Sequence, residues 1–197
     1  AMTDAIKTEA PARAPVNYAR QFERVALLVV WVILIAVFSL VMPKSFLTWG
    51  NFAIMFASYA PAALLALAII IPLTAGDYDL SVGATLTLSA STIAVLNVWM
   101  DMPIMLVLPI VLGIGVVVGL IHALFIIYFR VPSLVVTLGS TSLMSGIVQW
   151  MTNSTTIGGI DNALISAVIG QRIFGTPLAF YYALTAALLL WYVFDYT

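Results

Sequence analysis

Six long apolar segments, separated by short polar breaks, constrain the fold of this chain more than any other feature. A helix needs about 20 apolar residues to cross the roughly 30 Å hydrocarbon core of a bilayer. Continuous apolar runs without alternation exclude barrel strands. The segments lie at residues 25–42, 52–75, 82–100, 103–129, 134–151 and 178–194. We therefore predict an all-α fold, a polytopic transmembrane helical bundle of about six spans.

The composition supports this class and excludes several functions. Hydrophobic residues make up 63% of the chain and charged residues 8%, against about 45–50% and about 25% in soluble domains. The net charge of −1 excludes a strongly basic nucleic-acid-binding protein. The sequence has no cysteine and one histidine, too few for a metal-ligand cluster, and it has no phosphate-binding loop motif. We therefore expect no enzyme activity, no cofactor and no metal site.

The distribution of positive charge predicts a cytoplasmic N-terminus. With that orientation, five of the seven basic residues lie on the inner side, as the bias of short loops requires: Lys7, Arg13, Arg20, Arg24 and Arg130. Residues 1–24 are predicted to form a flexible cytoplasmic leader, and residues 25–197 the transmembrane domain. The longest connection, residues 152–177, is then an outer loop, with a short surface helix predicted over 163–169.

The break between the second and third spans carries two carboxylates, Asp77 and Asp79. Charges near the membrane are expensive and are kept where they meet water, backbone donors or partners. Asp79 and Ser81 are both candidate N-caps for the third span. The alternative is a broken-helix element that lines a solute path, in which Gly76 and Gly83 permit irregular backbone. Spacing alone does not separate these two hypotheses.

Polar residues inside the fifth span suggest a second part of such a path. Thr137 and Gly139 begin a cluster of small polar residues that helix initiation does not explain, and it fits a helix facing the bundle interior. Near the outer end, Gln149, Trp150 and Asn153 suit contact with a hydroxylated solute. They are equally suited to anchoring the helix at the membrane interface.

The fourth span carries candidate packing residues. Gly115 and Gly119 form a G-x-x-x-G pair, which allows two helices to approach closely, either within this chain or in a dimer. His122 is the only histidine in the sequence, and we expect it to hydrogen-bond a neighbouring helix. A proton relay would need several ionisable groups in the membrane, so a proton-driven secondary transporter is disfavoured.

Two motifs resemble a known family. Residues 76–83 read G-D-Y-D-L-S-V-G, and residues 130–139 read R-V-P-S-L-V-V-T-L-G. They are similar to the patterns G-G-I-D-L-S-V-G and R-V-P-[PS]-[FL]-[IV]-[VA]-T-L-G of permease subunits in bacterial ABC importers for ribose, xylose, galactose and related monosaccharides. The likeness covers about residues 51–197. Asp77 and Tyr78 replace the usual Gly and Ile, and His122 and Ala123 stand where the family often has Asn and Gly.

The resemblance implies a permease subunit in the bacterial inner membrane that forms the path for a monosaccharide or similar polyol. It implies a separate ATP-binding subunit that hydrolyses ATP, a periplasmic sugar-binding protein, and a second permease chain as a homodimer partner in the lipid bilayer. It also implies a longer permease, so we expect this chain to be a fragment or a native truncation. The alternative function is a non-transporting remnant or membrane scaffold.

Overall fold

The computed structural model describes residues 18–196, with side chains from residue 25 onward. The chain divides into two compact units at Thr48. The described part of the first unit contains helix α1, Tyr18–Val41, and the short helix α2, Pro43–Phe46. The rings of Phe38 and Phe46 stack with centroids 5.7 Å apart. Helix α1 includes the last seven residues of the predicted leader, 18–24, and residues 1–17 of that leader lie outside the described residues.

The second unit contains the remaining helices. They are α3, Trp49–Thr74; α4, Val82–Ala94; α5, Ile104–Ala123; α6, Ser133–Met151; the short α7, Asn162–Ile165; and α8, Leu178–Tyr196. A turn of π-helix extends α4 to Trp99, α5 to Tyr128 and α7 to Gly170. A two-stranded antiparallel hairpin, β1 Arg172–Ile173 and β2 Thr176–Pro177, precedes α8.

Five of these helices are long and apolar enough to cross a membrane: Trp49–Thr74, Val82–Trp99, Ile104–Tyr128, Ser133–Met151 and Leu178–Tyr196. They correspond to the second to sixth predicted spans, and the all-α bundle is confirmed. The first predicted span corresponds to the apolar stretch Val25–Val41 of α1. The predicted surface helix after α6 is present as α7 with its π turn, whereas the hairpin at 172–177 was not predicted.

The connections after α4 and α5 share one geometry. Each helix ends in a π turn, followed by a residue with positive φ, Asp101 (53°) or Arg130 (56°). Each next helix begins after a proline, Pro103 or Pro132, whose fixed φ and missing N–H suit a helix start. The backbone N–H of the residue before each proline bonds a carbonyl six positions earlier, Met102 to Leu96 and Val131 to Phe125.

Small residues allow the closest helix packing. Ala60 of α3 meets Ala179 and Ala183 of α8 in a buried cluster, which fits the close backbone approach that membrane helices use in place of a water-driven core. The G-x-x-x-G pair predicted for this purpose is elsewhere, on α5. A second buried cluster, centred on Val107, fixes the start of α5.

The two ends of the second unit are distinct. At one end, the Tyr78 N–H donates to the Ser133 hydroxyl, 55 positions later in the chain. At the other end, the Asn97 side chain accepts a hydrogen bond from the Asp161 N–H at 2.8 Å. Near the start of α3, Trp49 donates to the Phe174 carbonyl at 2.9 Å. The connections therefore alternate between the two ends, as the predicted order of crossings requires.

Candidate functional site

The polar break between α3 and α4, residues 77–81, has neither helical nor strand structure, and we call it the extended segment. Ser81, its last residue, already has helical backbone angles. Helix α3 ends at Thr74, and Gly76 turns the chain with φ of 85°. The Pro72 carbonyl accepts from the N–H groups of Ala75 and Asp77, both at 3.0 Å. A left-handed glycine at a helix end is a common way to stop a helix, so the sequence breaks the membrane helix at this point.

Asp79 organises the second half of the extended segment. Its Oδ1 accepts from the Ser81 N–H at 2.8 Å and from the Ser81 hydroxyl at 2.6 Å. The Ser81 side chain makes no hydrogen bond to the first turn of α4, so its predicted role as a side-chain cap is wrong. Ser81 is 1% exposed, and its buried hydroxyl pairs with the carboxylate. The second carboxylate oxygen, Oδ2, hydrogen-bonds no described residue.

A stripe of hydroxyl side chains on α6 holds the backbone of the extended segment. Ser133 accepts from the Tyr78 N–H at 3.3 Å. The Thr137 hydroxyl lies 3.4 Å from the carbonyls of both Tyr78 and Leu134, and the Thr141 hydroxyl lies 3.3 Å from the Leu80 carbonyl and 2.7 Å from the Thr137 carbonyl, so each shares its one proton between the segment and α6. The three residues are spaced four apart and therefore share one helix face. Thr137 is 1% exposed. The predicted polar cluster in this span thus contacts the predicted polar break.

His122 of α5 joins the same network. Its Nε2 lies 2.8 Å from the Ser140 Oγ of α6, which is the expected hydrogen bond to a neighbouring helix. Ser140 also donates to the Thr137 carbonyl at 3.0 Å. The histidine is 8% exposed. It is a buried polar ring in an otherwise aliphatic helix, and a hydroxyl on the neighbouring helix pairs with one of its nitrogens.

A cavity of about 330 Å³ brings several of these residues together. It lies among α3, α4, α5 and the extended segment. Its lining includes Asp79, Ser81, Thr85, Ser89, Gly115, Gly119 and His122. Five of the seven were singled out from the sequence; Thr85 and Ser89 were missed. The signal that could have found them is their four-residue spacing in a span rich in Ala, Ser and Thr.

The lining of this cavity is uncharged except for Asp79. Its free polar groups include a carboxylate oxygen and hydroxyls. Such a surface accepts and donates hydrogen bonds to neutral hydroxyl groups, and it has no cation to pair with an anionic solute. The volume is at the small end of the range typical of ligand pockets.

A second polar cavity, of about 310 Å³, lies toward the other end of α4. Ser91, Thr152, Thr155 and Thr156 contribute hydroxyl-bearing residues to its lining. Helix α4 therefore carries small polar residues beside both cavities. A larger cavity of about 440 Å³ lies between α3 and α8, but its lining is almost entirely aliphatic and aromatic, and it offers little to orient a hydroxylated molecule.

The predicted packing glycines face open space. A Cβ built at Gly115 or Gly119 meets no atom within 4 Å, so the described part of the chain provides no close helix contact there. Their packing role stays a prediction. Gly83 and Gly139 are likewise open, and neither lines the cavity near Asp79.

The remaining predicted path residues lie apart from this cavity. Asp77 is half-buried next to the turn at Gly76. Gln149 and Trp150 are exposed at the far end of α6, about 20 Å along the helix from Thr137 at 1.5 Å per residue. Asn153 has φ of 49°, a conformation that asparagine tolerates after a helix end. Among the described residues, no group of His, Asp and Glu could hold a metal ion.

Comparison with known proteins identifies relatives. Residues 50–197 match the family described as branched-chain amino acid transport system, permease component. The D-allose transport system permease protein of Escherichia coli K12 is 24% identical over 97% of this chain and 58% of its own length. The xylose transport system permease protein of Haemophilus influenzae is 26% identical over 74% and 38%. The ribose import permease protein of the same species is 30% identical over 82% and 50%.

This chain thus spans about half the length of these curated relatives. No solved structure matches it.

Proposed function

The chain belongs to the family of branched-chain amino acid transport system permease components, and we propose that it forms part of the path for a neutral monosaccharide or similar polyol across the membrane. It is a multi-pass membrane protein, with five helices long and apolar enough to span a bilayer. The relatives named for D-allose, xylose and ribose support a sugar as the solute.

The observation that carries the proposal is the cavity at Asp79. It joins the extended segment to α3, α4 and α5 and has one carboxylate, several hydroxyl groups and no cation in its lining. A branched-chain amino acid is a zwitterion: Asp79 could pair with its ammonium group, but its carboxylate would find no positive partner in this lining. A sugar presents hydroxyl groups, and carboxylate and hydroxyl oxygens accept hydrogen bonds from such groups well.

The permease works within a larger importer. We assign ATP hydrolysis to a separate ATP-binding subunit, because the sequence has no phosphate-binding loop. A periplasmic sugar-binding protein delivers the solute, and a second permease chain completes the path. The membrane is the bacterial inner membrane. The family description as a transport permease supports these assignments.

Replacing Asp79 with asparagine tests the proposal. Asparagine keeps an oxygen that can accept from Ser81, but it removes the negative charge and places an amide donor in the cavity. Hydrogen bonds to charged acceptors are about twice as strong as neutral ones, so we expect Asp79→Asn to lower sugar uptake by about fivefold or more. The assay is uptake of labelled D-allose, D-xylose and D-ribose by cells that lack their own transporters and express this permease with its proposed partner subunits.

Asp195→Asn is the matched control, because Asp195 is exposed near the end of α8 and lies outside the cavity. Both variants should accumulate in the membrane to the level of the unaltered protein. Uptake that survives Asp79→Asn unchanged at normal expression would contradict the assignment of the path. Uptake of leucine in place of the sugars would contradict the solute class.

A further inference from the structure

His122 lines the cavity, and its hydrogen bond to Ser140 leaves the second ring nitrogen unused. The residue is 8% exposed and lines the cavity together with Asp79 and Ser81. No side-chain nitrogen or oxygen of the described residues is enclosed without a hydrogen-bond partner. Since the hydrogen bond of this ring is made by Nε2, Nδ1 is not fully enclosed.

Ser140 lies between the ring of His122 and the backbone of its own helix. Its Oγ is 3.0 Å from the Thr137 carbonyl and 2.8 Å from His122 Nε2, and a serine hydroxyl has one proton to donate. When that proton goes to the carbonyl, the ring contact is a donation from Nε2–H to Oγ, and with the ring proton on Nε2 the other nitrogen, Nδ1, is an acceptor.

We propose that His122 is a specificity-determining residue that accepts a hydrogen bond from a hydroxyl group of the transported solute through Nδ1. The proposal rests on the function proposed above and deepens it. Asp79 and His122 supply acceptors from two different elements of the cavity wall, and a polyol is the class of molecule that offers several hydroxyl donors at fixed separations. Ser140 is a positioning residue that orients the ring through Nε2.

Two amide substitutions separate this role from simple helix packing. Asparagine places an amide group at the position of Nδ1 and is too short to reach Ser140. Glutamine extends toward the position of Nε2 and keeps the contact with Ser140, but it leaves the Nδ1 position empty. If the ring serves the solute, His122→Gln is the more damaging change. If it serves only packing, His122→Asn is the more damaging change.

The experiment measures uptake of labelled D-allose, D-ribose and D-xylose at concentrations well below saturation, per copy of permease in the membrane. We expect His122→Gln to lower uptake about tenfold and His122→Asn by less than about threefold, the range for one hydrogen bond to a neutral group. His122→Gln should also change the ratio of the three uptake rates, because the hydroxyls of these sugars differ in position. Ser140→Ala should lower the three uptake rates by the same factor and leave their ratio unchanged.

The outcomes are distinguishable. Unaltered permease that imports none of the three sugars overturns both the proposed function and this inference. Normal uptake by the unaltered permease, together with a larger loss of uptake in His122→Asn than in His122→Gln, overturns only the role of His122. Equal ratios of the three sugars in His122→Gln and the unaltered permease also overturn it, because a purely structural defect lowers all rates in proportion.

Discussion

Gly175 is the residue that tolerates a side chain least well in the described part of the chain. A Cβ at this position would lie 2.5 Å from Trp49 Nε1, the atom that donates to the Phe174 carbonyl. Its φ of 81° is also unfavourable for other residues. The hairpin before α8 thus contacts the start of α3 through the indole ring of Trp49, which lies directly against Gly175.

We expect Gly175→Ala to destabilise this contact. The added methyl group must displace the indole or shift the hairpin, and overpacking of this kind costs about 1–3 kcal/mol. Gly159→Ala is the matched control, because Gly159 has a similar φ of 92° and no atom within 4 Å of its Cβ. Both variants carry the backbone strain, and only Gly175→Ala carries the clash.

Thermal unfolding in detergent micelles, followed by tryptophan fluorescence, measures the difference. Gly175→Ala should unfold at a lower temperature than Gly159→Ala and should change the emission of Trp49. Equal unfolding temperatures would mean that Trp49 moves aside without loss, and that the hydrogen bond to Phe174 contributes little to stability.

Single residues near Asp79 could be found from the sequence, although their bonding could not. Two carboxylates in a short gap between apolar spans are conspicuous, and the cavity contains one of them. Whether Ser81 would bond to Asp79 or to the first turn of α4 depends on the local backbone, and both geometries are compatible with the same spacing. The role of Trp49 depends on a contact 125 positions away in the chain, which no local pattern encodes.

At the scale of elements, α6 is the helix that holds the membrane break in place. Its hydroxyl side chains accept from the N–H of Tyr78 and lie within hydrogen-bond distance of the carbonyls of Tyr78 and Leu80. The backbone groups of these two residues have no intrahelical partners, so side chains and water must supply them. The fifth span is therefore more polar than the others for a structural reason.

Thr137→Val tests this role of α6. Valine keeps the shape of threonine and removes the donor, so the carbonyls of Tyr78 and Leu134 lose the hydroxyl that they share. The contact is long, at 3.4 Å, and we expect a loss of stability of about 1 kcal/mol. Limited proteolysis within residues 77–81 should become faster, because the segment is held less firmly against α6.

Ser145→Ala is the control on the same helix. The Ser145 hydroxyl donates only to the Thr141 carbonyl of its own helix, at 2.8 Å, and does not touch the extended segment. Proteolysis at an unchanged rate in Thr137→Val, or at an equally increased rate in Ser145→Ala, would show that the α6 stripe does not hold the segment.

The elements themselves were largely predictable, and their ends were not. Apolar runs of 17 to 27 residues locate the helices because the length of a span is set by the bilayer. The π turns after α4 and α5 follow no signal in hydropathy, since they depend on one extra backbone residue in the last turn. The hairpin at 172–177 was missed because each strand has only two residues, too few to show alternation.

For the whole molecule, the main fact is how little of each span is buried. Between 6% and 17% of each membrane-length window is enclosed within the described structure. The exposed faces are aliphatic and aromatic, as expected of helices surrounded by lipid or by further protein. Helices α3 and α8 pack together, and α4 packs against both α5 and α6.

The alternation of the connections predicts which sites face the cytoplasm. The chain has no native cysteine, so single cysteines can be introduced as unique labels. We expect Tyr78→Cys and Phe129→Cys to react with a membrane-impermeant thiol reagent only from the cytoplasmic side. Met100→Cys and Gln171→Cys should react from the outer side. The positions belong to successive connections, and the basic residues favour this orientation.

The labelling is measured in intact cells and in inverted membrane vesicles. Reaction of Tyr78→Cys and Phe129→Cys from opposite sides would contradict the bundle, because their connections lie at the same end. If each of the four positions reacts from the side opposite to the one expected, the bundle stands and only the predicted cytoplasmic location of the N-terminus is contradicted.

The manner in which α6 holds the extended segment has a consequence for its evolution. The α6 hydroxyls contact the main-chain N–H and carbonyl of residue 78, which every amino acid except proline supplies. The side chain of Tyr78 is 57% exposed, so it is free of that contact. Substitutions at this position, where the family pattern has Ile and this chain has Tyr, can therefore accumulate without moving the segment, and related permeases can display different side chains there on the same scaffold.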